Sequence, residues 1–227
     1  MRARTAWLAA ALALSACSGA ATVSTASATP TQSATATQTP TATPASGLAW
    51  TVSDKSKATV NVREQLAALN FPSDAVLVAT GAKGTFQLNT DGTFSSDSTL
   101  SFDVTSLTSD SSLRDNFVKQ SVLATRQFPT ASFVPVKATG LTLPLPASGA
   151  FTATVAGKLT IHGVTKDVTF DVKGTRTGGE LTATATLNPT VKFGDFGMPL
   201  PAAPGRVLSV VDEIKLVIDL VATGPKS

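Results

Sequence analysis

The chain has 227 residues, 42% hydrophobic and 15% charged, with 18 Lys and Arg against 15 Asp and Glu. Two of the basic residues, Arg2 and Arg4, sit at the extreme N-terminus; without them 16 basic residues face 15 acidic ones, which excludes the clustered basic face of a nucleic-acid binder. A single cysteine and a single histidine exclude a zinc centre, which takes three or four such ligands.

Arg2 and Arg4 precede an apolar run from Ala6 to Leu14, which Leu14-Ser15-Ala16-Cys17 closes. A basic start, a short apolar stretch and small residues before a cleavage point form a secretory signal. The run is about half the roughly 20 apolar residues that a spanning helix needs. The tetrapeptide resembles the lipobox of bacterial lipoproteins. That resemblance implies thioether lipidation of Cys17 and cleavage just before it. Two or more acyl chains anchor stably, where one binds only marginally. The alternative is an ordinary secretory signal with Cys17 at the junction by chance. Residues 1–16 are thus expected to be a signal peptide, and the rest an extracytoplasmic protein. Its anchor holds it to the outer face of the cytoplasmic membrane or on a periplasm-facing surface.

Residues 17–47 are the cysteine and then almost nothing but Ser, Thr, Ala, Pro and Gln, with no charge. Such a segment cannot bury enough apolar surface to fold. It reads as a tether, either a plain spacer or a glycosylated stalk, spanning roughly 30 Å root-mean-square. Residues 48–227 hold all eleven phenylalanines and suffice for one domain.

Within that domain the pattern is of period two. Leu100, Phe102 and Val104 alternate with polar residues. So do Phe151 to Ile161, Val168 to Val172, Leu181 to Leu187 and Ile214 to Leu220. This predicts antiparallel strands with one wet face. Asp91-Gly92, His162-Gly163 and Gly178-Gly179 fall between runs, as hairpin turns do. Two short helices are expected, over Val62–Asn70 and Leu113–Ala124, the second capped at Ser111 or Ser112. The fold class is therefore all-β with short helices, a sandwich or a barrel. A barrel of about eight strands either fills itself or holds one small ligand.

More specific residues follow. Gly157 to Val168 reads Gly-Lys-Leu-Thr-Ile-His-Gly-Val-Thr-Lys-Asp-Val, and this stretch resembles the signature of the YceI-like family. Arg114-Asp115-Asn116-Phe117, Phe128 to Phe133 and the closing run from Asp212 resemble it too, so the likeness spans about Trp50 to Val221. It implies an elongated, lipocalin-like antiparallel barrel that holds a polyisoprenoid or similar long apolar chain. Many members carry a His-Ser pair after the first tryptophan; here Asp54-Lys55-Ser56-Lys57 stands instead.

Alternation puts Phe86, Phe102, Val104, Phe133, Val155, Ile161, Phe170, Leu216 and Ile218 on an inward face, as candidate cavity lining. Arg114 and His162 are the candidate headgroup contacts. Each has a plainer reading: Arg114 as a helix-start pair with Asp115, and His162 as a turn residue bonding the backbone. Gln87, Asn89 and Asp91-Gly92 faintly echo a calcium loop but lack its first acid and closing Glu. Phe193, Phe196 and Met198 form an apolar loop, either a lid or a plug. No nucleophile elbow accompanies His162, so catalysis is not expected. The expected activity is lipid binding by a tethered protein. Its partners are an isoprenoid or fatty chain and the membrane, with room for a homodimer and no bound metal or cofactor. The alternative is an envelope interaction module whose barrel is filled.

Overall fold

The computed structural model describes residues 47–226. Ten strands lie in one antiparallel sheet. They are β1 Gly47–Val52, β2 Lys57–Leu66, β3 Ser73–Asn89, β4 Thr99–Thr108, β5 Thr130–Thr139 and β6 Ser148–Ile161. Then follow β7 Val164–Thr177, β8 Glu180–Leu187, β9 Val207–Val210 and β10 Lys215–Thr223. From β2 to β8 each strand pairs with its neighbour in sequence, and β8 pairs with β10. β10 then pairs back onto β2, with Ile218 opposite Ala58, so eight strands close a ring. β1 occupies the same gap further along, with Trp50 opposite Phe86 of β3 and Thr51 opposite Thr223 of β10. Closure leaves an inside and an outside, and period-two sequences fill them as expected. Leu100, Phe102 and Val104 of β4 are buried, as are Leu216 and Ile218 of β10.

The hairpin turns are those read from the dipeptides. Ile161 pairs with Val164 and Thr177 with Glu180, so His162-Gly163 and Gly178-Gly179 are two-residue loops. His162 and Gly163 have φ of 52° and 75°, the left-handed geometry that the twist of a two-residue hairpin selects. Asp91-Gly92 also turns the chain, with Leu88 bridging to Phe94. The Asp91 carboxylate accepts from the backbone N–H and hydroxyl of Thr93, so it closes a turn.

One expected helix is corrected. Val62–Asn70 is not helical; most of it belongs to β2, paired with β3 on one side and with β9 and β10 on the other. The helical reading rested on Val62, Leu66 and Leu69 sharing a face. The spacing of four from Val62 to Leu66 is also a multiple of two and fits a strand equally well, and Leu69 lies past the end of β2. Ala58, Val62 and Glu64 are the buried positions, and alternation prevails because two neighbouring strands need the backbone hydrogen bonds. The second helix forms as α1, Ser112–Phe117, and the Ser111 hydroxyl accepts from the Arg114 N–H as its cap. It then widens into a π turn at Val118–Val122, where the Leu123 N–H reaches the Val118 carbonyl. Past that turn Val118 and Val122 face inward, while Ser121 is exposed.

A cavity with a polar mouth and an apolar floor

The ring encloses a cavity of about 570 Å³. Six of the nine lining candidates face it: Phe102, Val104, Phe133, Ile161, Leu216 and Ile218. The other three, Phe86, Val155 and Phe170, line a second void of about 110 Å³ together with Trp50 and Leu145. The interior is therefore not filled; of the two states open to a barrel of about eight strands, it has the one with room for a ligand.

The larger cavity has a direction. Ile218 lies level with Ala58 of β2, and Glu64 lies six residues further along the same strand. At about 3.3 Å per residue the two are roughly 20 Å apart. Around the Glu64 end stand Asp110, Ser111, Arg114 and Arg206, with the largely exposed Leu113. This end is the mouth. Around the Ile218 end the lining is Ala58, Ala79, Phe133 and Leu159.

Arg114 organises the mouth, by contacts other than those expected. It does not pair with Asp115, whose carboxylate accepts from the backbone N–H and hydroxyl of Ser109 at 2.8 and 2.6 Å. Its Nη2 instead donates to Glu64 Oε1 at 2.7 Å, and its Nη1 to Asp110. The Arg114 and Glu64 side chains are 17% and 8% exposed, so this is a largely buried pair. Burial by itself would lower the Arg114 pKa. The Glu64 charge and hydrogen bond, and then Asp110, outweigh it and hold the guanidinium above its ordinary value. The guanidinium thus keeps its charge at the mouth of the apolar cavity.

His162 lines neither cavity. Its Nδ1 lies 3.3 Å from the Phe196 carbonyl, and Phe128 packs edge-on at 4.7 Å. The ring ties the β6–β7 turn to the loop that follows β8. That loop is a plug: Phe196 is fully buried, while Phe193 and Met198 face the cavity. Asp212 holds it by accepting from the Phe193 N–H.

Sequence reading missed Glu64, Asp110 and Arg206. For Glu64 a signal was present, because an acid two residues after Val62 falls on the inward face once the segment is read as a strand. Asp110 and Arg206 sit in or beside loops, where no periodicity assigns a direction. Cys17 and the rest of residues 1–46 lie outside the described residues.

An all-β protein whose strands close a ring around a deep apolar cavity with a charged mouth is a ligand-holding fold. The sequence matches the model of the YceI-like domain over residues 50–222, and the chain belongs to that family. A protein named UPF0312 protein, from two strains of Pseudomonas putida, is 34% identical over 146 residues, covering 56% of this chain and 69% of its own. Among solved structures, a polyisoprenoid binding domain from Saccharophagus degradans, implicated in plant cell wall breakdown, superposes with a TM-score of 0.58 at 11% identity. The match covers 78% of this chain and 99% of that domain. Burkholderia cenocepacia BcnA gives 0.52 at 22% identity, over 74% of this chain and 97% of its own. At such identities the likeness is of fold.

Proposed function

We propose that this chain is an extracytoplasmic, membrane-tethered protein that holds an isoprenoid or similar apolar chain inside its strand ring, without catalysis. The observation that carries the reading is the 570 Å³ cavity, apolar along its length and charged at its mouth. That arrangement suits an amphiphile with its tail at Phe133 and its polar end at Arg114 and Glu64. Support for an apolar-chain ligand also comes from the Saccharophagus domain, which shares the fold and binds polyisoprenoid. The lipobox-like Leu14–Cys17 and the tether-like residues after it support the anchored location.

Removal of apolar surface from water drives tail binding, at about 0.8 kcal/mol per methylene. A bilayer offers nearly the same gain, so transfer between membrane and cavity is close to balanced. That balance fits a carrier or a sink that loads and unloads at the surface to which it is tied. The test is to purify the full chain from its membrane, extract it with organic solvent and identify the released lipid by mass spectrometry. A stoichiometric isoprenoid or fatty chain is expected. A protein that releases none and refuses added polyprenyl lipids contradicts the reading.

A further inference from the structure

The two cavities are separate, and among the described residues only Phe133 and Ile218 line both. These two side chains are the wall between them. Phe133 is fixed from behind: Phe170 packs edge-on at 5.0 Å, and Gly157 lies against its ring so closely that a Cβ there would meet Cζ at 2.5 Å. Both wall residues are buried, at 7% and 5% exposure. Beyond them lies the 110 Å³ void, lined by apolar side chains throughout.

We infer that Phe133 and Ile218 are a chain-length stop. The inference rests on the lipid-binding reading above and adds to it the length of chain that the site prefers. At about 30 Å³ for a group the size of a water molecule, the upper cavity takes roughly 20 methylene-sized groups, or about four isoprene units. By the same measure the lower void adds about four groups, before counting the space vacated by the ring itself. Each methylene buried raises affinity about fourfold. Carbons beyond the stop protrude through the mouth into water and add nothing. Affinity therefore climbs with chain length and then levels.

The test uses the full chain in detergent and straight-chain primary alcohols delivered from cyclodextrin, from about 12 to about 28 carbons in steps of two, with a rise of about fourfold per buried carbon expected. For the native chain, affinity should level near 20 carbons. Phe133→Ala should move that break to longer chains by at least about four carbons, with shorter chains bound no better than before. Ile218→Ala opens the same wall from the other side and gives the same shift, which keeps the test decisive should Phe133→Ala fail to fold. Affinity that keeps rising through the longest alcohol in the native chain, or a break that neither variant moves, overturns the stop while leaving lipid binding intact. If no alcohol and no polyprenol of any length binds the native chain, the lipid reading fails and the stop falls with it.

Discussion

At the scale of single residues, charge placement makes the sharpest predictions. Glu64 and Arg114 are a buried pair, and removing one partner leaves the other short of hydrogen bonds. Glu64→Leu and Arg114→Leu should each cost about 2 kcal/mol in chemical denaturation. Asp110 still serves Arg114 when Glu64 is gone, which keeps the first figure moderate. The double variant should cost less than the two singles together, because an apolar pair leaves no charge uncompensated. Strict additivity would show that the pair is not coupled. On the outer face, Asp103 of β4 is held below its ordinary pKa of 3.8, chiefly by the Thr105 hydroxyl and then by the Thr105 backbone N–H. A carboxyl lowered in the folded state contributes stability above its unfolded pKa and loses it as pH falls through the folded value. NMR titration should therefore place Asp103 below 3.8, and Thr105→Val should raise it back toward that value. An unchanged titration would mean that the hydroxyl does not set it.

At the scale of elements, paired aromatics and glycines shape the interior. Gly157 of β6 faces Phe133, and Gly174 of β7 sits where a Cβ would meet the Phe151 ring at 2.5 Å. The missing side chains are seats for rings that project into the cavity or its lower void. Gly157→Ala should force the Phe133 ring to move and cost about 1 to 3 kcal/mol by overpacking. Denaturation measures the cost, and a loss below that range would show a more adaptable seat. Gly163 has φ of 75° and lies against Phe128, so Gly163→Ala is strained twice over and should destabilise the β6–β7 hairpin by at least about 1 kcal/mol. Reading the sequence found these hairpins because dipeptides report turn geometry locally. It misread the end of β2 because the spacing of four from Val62 to Leu66 suits both periods, and pairing with β3 and β9 decides between them.

At the scale of the whole molecule, an open interior is the dominant fact. A ring that does not fill itself forgoes contacts that a ligand can restore. At a ligand concentration about 100 times the Kd, binding adds about 2.7 kcal/mol. For a domain of this size that is a rise of about 5 to 10 °C in Tm, checked by scanning calorimetry with and without a polyprenol. Phe102→Asp should abolish that rise in a folded protein, because it sets a charge on the wall of the upper cavity. The far end of the ring is secured by Arg176, 2% exposed, which donates to the carbonyls of Leu145, Pro146 and Gly178 and lies 5.1 Å from the Trp50 ring. That clasp joins β1, β7 and the loop before β6.

Alternation, turn dipeptides and the family-like signature were enough to establish an all-β chain, its hairpins and the inward set of nine apolar residues. Those features are local, because each strand shows its two faces in its own spacing. Three things were decided only by the tertiary structure. The ring closes between β10 and β2, a contact between distant parts of the chain. The inward residues divide into two cavities because Phe133 and Ile218 meet between them, and alternation cannot tell a lining residue from a wall. Arg114 faces Glu64 rather than its neighbour Asp115, because a buried charge takes the partner that burial brings to it, fifty positions away.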